Sequence, residues 1–202
     1  MMKILFTLWT LFLFVVLLAT SQTASAVPVS LEGLKNKYAN LESLQAEIDQ
    51  TKKSRFLFKP LKSQVKLTYS KKELRWEMVS PFSQIVLVRD NALVTKSTES
   101  AKEEVTPIVQ GSKLHYLTLF FRALFSMDLK VLEKQFTLSF AGQVMTALPQ
   151  KNSELSFIKE MTFVFDDDLR LDRVKVSAQE EETELQFRSL KTFATSHPKA
   201  MP

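Results

Sequence analysis

Two histidines, His115 and His197, and no cysteine are all that this chain of 202 residues offers for imidazole or thiol chemistry. His197 stands beside Pro198 in a C-terminal stretch that reads as a loose tail. His115 lies between Leu114 and Tyr116 in a strongly apolar segment, and an imidazole on a helix surface is more often structural than catalytic. No G-x-S-x-G, H-E-x-x-H or glycine-rich phosphate loop occurs. Asp166-Asp167-Asp168 collects oxygens that a hard cation would use, but it lacks the spacing and the closing bidentate Glu of a calcium loop. It reads as a solvated turn, and Glu180-Glu181-Glu182 as a charged hairpin tip. The sequence therefore assigns no catalytic residue, no metal ligand and no cofactor, and an enzyme is not expected.

The aromatic stock is the stronger oddity. Of sixteen phenylalanines, only Phe6, Phe12 and Phe14 fall near the N-terminus, and Trp76 adds to the rest. Such residues fill a core, or they line a cavity. Apolar cores and apolar pockets use the same side chains, so composition leaves both readings open.

The N-terminus bears on where these residues act. Lys3 precedes an apolar run from Ile4 to Ala19, and Ala24-Ser25-Ala26 is an A-x-A cleavage site. The run is shorter than the roughly 20 residues of a spanning helix. The expectation is a signal peptide over residues 1–26, cut after Ala26, and one domain from Val27 to Pro202. With no cysteine there is neither a disulfide framework nor a lipid anchor, which fits a soluble protein of the bacterial periplasm. The formal charge of +5 falls to +4 once Lys3 is removed. A charge this modest is that of an ordinary solvated surface, although it could also favour an anionic membrane or an acidic partner. No Lys/Arg block is dense enough for nucleic acid.

These residues must be positioned by local elements. Leu31, Leu34, Tyr38, Leu41 and Leu44 recur at helical spacing and predict a helix over Leu31–Leu44, capped by Ser30. From Leu44 the period becomes two, predicting a strand to about Lys52. Val65, Leu67 and Tyr69 alternate next. Leu74 to Asp90 then reads as a hairpin, with Trp76 and Met78 on one face, Arg75 and Glu77 on the other, a Ser80-Pro81 break and a second strand from Gln84 to Val88. After the Asp90-Asn91 turn, Ala92–Thr95 is a short strand and Lys96–Glu104 a surface loop. Lys113 to Phe125 is apolar nearly all round and predicts a helix that must be covered on most faces. The remainder alternates as strands: Phe136–Phe140, Gln143–Leu148, a short Leu155–Ile158, Met161–Phe165, Leu171–Val176 and Leu185–Phe193. Short connections favour antiparallel meanders. The class is α+β, mainly β, with a curved sheet or partial barrel wrapped over helices.

Leu74 to Asp90 resembles the hairpin of LolA-type periplasmic lipoprotein carriers. The shared order is a turn (Lys71-Lys72-Glu73), an apolar residue (Leu74), Arg75-Trp76, a short strand, Pro81-Phe82, an apolar strand and an Asp90-led turn. Leu41-x-x-Leu44-Gln45-Ala46 and the closing hairpin Leu169–Leu190 are similar to that family too, so the likeness spans Leu31 to Phe193. It implies an incomplete antiparallel β-barrel, a half-barrel, with a helical lid over an apolar cavity. It further implies binding of the acyl chains of a lipoprotein or another lipid, loading from an inner-membrane donor complex, delivery to an outer-membrane acceptor, and a monomer without covalent chemistry. Trp76, Met78, Phe82, Ile85 and Leu87 from the sheet, with Leu117, Phe120, Phe121, Leu124 and Phe125 from the helix, are the candidate cavity residues. The choice of Ile85 and Leu87 over Val86 and Val88 is one of register. Three departures from the family stand out. Ser70-Lys71-Lys72 replaces the basic-residue-Pro pair from which an Arg can latch the lid, Asp90-Asn91 replaces an Asp-Gly turn, and Val94-Thr95-Lys96 lacks the usual aromatic. Two other readings compete: a periplasmic sensor or binding module using the same half-barrel to recognise a protein or an envelope lipid signal, for which the +4 charge and the basic run Lys52-Lys53-Ser54-Arg55 would matter, and an enzyme resting only on His115 and scattered carboxylates.

Overall fold

A computed structural model describes residues 28–97 and 103–194. The expected signal peptide and its cleavage site, the tail from Thr195 with His197, and residues 98–102 lie outside the described residues. The chain opens with helix α1 (Leu31–Tyr38) and continues through strands β1 (Leu41–Ser54), β2 (Leu61–Ser70), β3 (Leu74–Ser80), β4 (Gln84–Val88), β5 (Ala92–Ser97) and β6 (Glu103–Pro107). Helices α2 (Lys113–Ser126) and α3 (Leu129–Gln135) follow. Strands β7 (Phe136–Ala141), β8 (Val144–Pro149), β9 (Ile158–Phe165), β10 (Leu171–Ala178) and β11 (Glu181–Ala194) complete it.

All eleven strands form one sheet in the order β6-β5-β4-β3-β2-β1-β11-β10-β9-β8-β7, and every pairing is antiparallel. Two meanders, β1 to β6 and β7 to β11, are thus joined by the first and last strands. The sheet does not close, because β6 and β7 are both edges. Strand β6 is exposed throughout and carries Glu103, Glu104 and Pro107, which discourage pairing with another chain. Register shifts within β1–β11, β9–β10 and β2–β3 add local twist and bend the ladder. The outcome is an incomplete antiparallel barrel with helices over its concave face.

Along the strands the inward positions form continuous rows. Leu67 of β2 stands opposite Ala46, which stands opposite Leu190, and Val65 opposite Ile48, which faces Phe187. Farther along, Leu185 pairs with Val174, Val174 with Phe163 and Phe163 with Met145. Ile48, Val174, Phe163 and Met145 are completely enclosed. Helix α1 plugs one end of this concave surface through Leu34 and Tyr38, both buried. Gly33 permits that approach, since a Cβ there would come within 3.3 Å of the Leu169 side chain.

Helix α1 is shorter than the apolar spacing predicts. Ser30 caps it by accepting from the Gly33 amide at 3.1 Å, but it ends at Tyr38, and Leu41 and Leu44 belong to β1. A register shift between Leu41 and Ser43 lets two strand residues three apart both point inward, a spacing that mimics a helix. Three further differences follow from tertiary partners. Part of the expected loop Lys96–Glu104 is strand, since β6 pairs with β5. Leu155 sits in a turn, and the strand begins only at Ile158. Helix α3 has no counterpart among the elements that the sequence predicts; Asp128 caps it, accepting from the Val131 amide at 3.3 Å.

The Asp166–Asp168 segment is a turn, as its composition suggests. Asp166 accepts from the amides of Asp168 and Arg170 and from the Arg170 guanidinium. These bonds, together with Arg170, hold its carboxyl below the usual range against the opposing effect of desolvation. Tyr38 donates its hydroxyl to the Leu169 carbonyl at 2.9 Å, tying α1 to this turn. Burial pushes the Tyr38 pKa from 10.0 up to about 12. Below pH 10 the folded and unfolded states both hold the proton; between pH 10 and 12 only the unfolded state ionises, so folding stability falls over that window. We expect Tyr38→Phe to flatten this alkaline loss relative to the wild type, as read by urea unfolding below pH 10 and near pH 12.

Candidate functional site: an apolar cavity beneath helix α2

Beyond the region plugged by α1, the concave face does not meet its covering helix everywhere. A cavity of about 570 Å³ remains, within the range of small-ligand sites, roughly 300–1,000 Å³. One wall is Leu74, Trp76 and Met78 of β3 with Val86 and Val88 of β4 and Leu93 of β5. The opposite wall is Ile158, Val176, Ala178 and Leu185 from β9, β10 and β11. Helix α2 forms the roof with Leu114, Leu117, Phe120, Phe121, Leu124 and Phe125.

Seven of the ten residues singled out from the sequence surround this space: Trp76, Met78, Leu117, Phe120, Phe121, Leu124 and Phe125. The other three lie elsewhere. Trp76 pairs with Val86 and Leu74 with Val88, and residues directly opposite in an antiparallel pair share a face. Ile85 and Leu87 pair instead with Glu77 and Arg75 and therefore take the outer face, where Leu87 is buried opposite Val94. Phe82 sits in the β3–β4 turn and points to solvent. Strand β4 is apolar on both faces, so alternation alone could not choose between the registers. Sequence reasoning also missed the β9–β11 wall. Those residues alternate correctly, but nothing local says that they face Trp76 across the barrel.

Ring packing holds the roof. Phe125 lies 6.1 Å from Trp76, and Phe120 lies 5.5 Å from both Phe121 and Phe136. Ser112 caps α2 by accepting from the His115 amide at 3.2 Å. The helix stops at Met127, which adopts a left-handed conformation (φ 53°), and the Asp128 amide then bonds back to the Ala123 carbonyl at 2.9 Å. His115 is half-buried beside Tyr116, at a ring separation of 5.7 Å, and is not part of the cavity wall.

A polar tie crosses from roof to sheet. Arg122 donates to the Asp90 carboxylate and to the Lys71 carbonyl, linking α2 to the β4–β5 and β2–β3 turns. The resemblance directed attention to Ser70-Lys71-Lys72 as the place for a lid latch. The tie found there has its guanidinium on the helix, and Lys71 contributes only its carbonyl.

The cavity is not uniformly apolar. Gln50, Lys52, Glu181 and Thr183 gather at one end, with Thr118 on the roof. Lys52 and Glu181 form an ion pair at 2.8 Å. The enclosed Gln50 Oε1 has no hydrogen-bond partner among the described residues. No cluster of three or more His, Cys, Asp or Glu among the described residues is placed to hold a metal ion. The arrangement can sequester a hydrocarbon chain and meet a polar group at one end.

No family model matches the chain, and no curated protein does. Solved structures similar to it include an uncharacterised conserved protein from Thermus thermophilus (10% identity, 84% of this chain and 93% of that one, TM-score 0.46). A putative outer membrane lipoprotein-sorting protein domain from Vibrio parahaemolyticus is another (11%, 83% and 94%, TM-score 0.39). A third is a LolA superfamily protein from Nitrosomonas europaea (7%, 83% and 96%, TM-score 0.40). The functional reading rests on the cavity itself.

Removing the Arg122 tie should free the roof. The Asp90 carboxylate is largely solvated, so the tie is worth about 1 kcal/mol. Arg122→Ala is expected to speed amide hydrogen exchange in residues 113–126 roughly fivefold, with exchange in β9 and β10 unchanged.

Proposed function

We propose that this protein is a non-enzymatic lipid carrier that holds acyl chains in the cavity beneath α2. The observation that supports this reading is an aliphatic and aromatic space of about 570 Å³ under a helix that is tied to the sheet by side chains. Each buried methylene is worth roughly 0.8 kcal/mol, so an acyl chain free in water is strongly disfavoured. Transfer from a bilayer into this cavity exchanges one apolar medium for another and is near balance. A lipid can therefore enter and leave without covalent chemistry.

The cargo in this proposal is a lipoprotein or another acylated lipid. The polar end of the cavity faces its head region, with the Gln50 Oε1 as an acceptor for an N–H or O–H donor. Exported by a signal over residues 1–26, the mature chain works in the periplasm as a monomer. It takes its load from an inner-membrane donor complex and passes it to an outer-membrane acceptor.

Native mass spectrometry of protein isolated gently from the periplasm should reveal co-purifying lipid, and a fluorescent acyl probe should bind the delipidated protein. Leu117 lies half-buried on the roof, against the core, and a charge there spoils the cavity. Leu117→Glu is expected to weaken probe binding at least about tenfold, with a circular dichroism spectrum and melt checking that the variant is folded at the temperature of the assay. Lipid-free protein that also takes up no probe would show the reading to be wrong.

A further inference from the structure

The most exposed run of apolar side chains stands at one end of the sheet. The β1–β2 connection presents Phe56, Leu57 and Phe58 in succession, with Phe56 72% and Phe58 fully exposed. This is a formed turn: the Leu57 amide donates to the Ser54 carbonyl at 3.0 Å, and the Arg55 guanidinium sits 4.7 Å over the Phe56 ring. The Ser80–Ser83 turn, which carries the exposed Phe82, lies at the same end, since Ser80 pairs with Gln64 near the start of β2. Three solvent-facing apolar residues in a row at a tip are costly in water unless something covers them.

The charge around the tip indicates what covers it. Lys52, Lys53 and Arg55 are balanced by Glu181, Glu182 and Glu180, at 2.8, 3.1 and 2.7 Å. Lys59 and Lys62, on the far side of the tip, form no ion pair among the described residues. An aromatic tip flanked by surplus cations matches a bilayer with anionic headgroups, where rings enter the interface and lysines stay among the phosphates. A second copy would bring Lys59 and Lys62 against like charge. The tip is also a short connection, residues 55–60 between β1 and β2, far from the roughly 800 Å² per partner of a stable protein interface.

We propose that this rim, with Phe56, Leu57 and Phe58 at its tip, docks the protein directly onto anionic membrane surfaces. The polar end of the cavity, at Lys52, Ala178 and Glu181, lies at the same end of the sheet, where Ser54 at the end of β1 pairs with Glu181. Where the carrier reading holds, docking therefore sets the polar end of the cavity beside the bilayer, and an acyl chain passes between them without crossing water. Docking itself does not depend on that reading.

The absence of cysteine allows one environment-sensitive nitrobenzoxadiazole label to be placed at will on the chain as cells process it. Leu57→Cys reports on the tip, and Asp167→Cys, exposed in the turn at the opposite end, serves as the control. Vesicles of phosphatidylethanolamine with phosphatidylglycerol should shift the Leu57→Cys label to the blue and raise its emission severalfold. Phosphatidylcholine vesicles should do so much less, added salt should weaken the response, and the Asp167→Cys label should not respond. Adding Phe56→Ser with Phe58→Ser to the tip-labelled protein should weaken vesicle affinity more than about tenfold, and Lys59→Glu with Lys62→Glu should remove the preference for anionic lipid. These exposed positions leave the fold intact, which a melt verifies. A silent tip label, an equal response at both labels, or a tip label that responds only to self-association or to a soluble protein overturns the proposal. Acyl-probe binding measured on the same variants reports separately on the cavity.

Discussion

The ladder between β1 and β11 is the contact on which the other features rest. It runs from Leu41 opposite Ala194 to Ser54 opposite Glu181, joining the two ends of the described chain at the middle of the sheet. Without it the chain would be two separate antiparallel meanders, each with one face exposed. With it, Ala46, Ile48 and Gln50 meet Leu190, Phe187 and Leu185, and both meanders share one concave surface. The entropy of closing so long a loop grows only slowly with its length, while the apolar area gained by uniting the sheet is large. Such distant pairing makes folding slow in comparison with a helical bundle.

Curvature then decides where packing ends and the cavity begins. The register shifts in β1–β11 and β2–β3 bend the sheet, and the helices over its concave surface leave part of it unfilled. Helices α1 and α3 pack one part of it tightly, with Leu34, Leu129, Leu132 and Phe136 fully enclosed. Helix α2 is kept off the remainder by large rings that meet one another, Trp76 on Phe125 and Phe120 on Phe136. The aromatic residues therefore act as spacers as well as lining. The strand ends that carry the polar lining residues Lys52 and Glu181 also carry the exposed Phe56–Phe58 tip, so both are products of one end of the sheet.

Much of this was legible in short stretches of sequence. Trp76 and Met78 alternate with Arg75 and Glu77, which settles their shared face wherever β3 goes. Lys113–Phe125 is too apolar to be a surface helix, so it had to be covered, and it is the roof. Where local pattern failed, it failed for identifiable reasons. Leu41 and Leu44 imitate a helix because a bulge changes the strand period. Ile85 and Leu87 were interchangeable with Val86 and Val88 because β4 is apolar on both faces, leaving the choice to its pairing with β3. Helix α3 is a seven-residue element, too short for periodicity to reveal, and it depends on the Asp128 cap and on burial of Leu129 and Leu132.

The sequence by itself determined the mainly antiparallel class, the inward face of β3 and the identity of the roof helix, because each of these follows from residue type and spacing within one element. The tertiary structure alone decided that Val176, Ala178 and Leu185 stand across the barrel from Trp76, that Arg122 ties the roof to Lys71 and Asp90, and that Phe56 to Phe58 stay in solvent. Those outcomes depend on strand register and sheet curvature, which are set by pairing between segments, most of all β1 with β11 from the two ends of the described chain. A helix or strand records its own amphipathic face in its sequence, but the neighbour that covers that face, or fails to, is chosen only when the whole sheet is assembled.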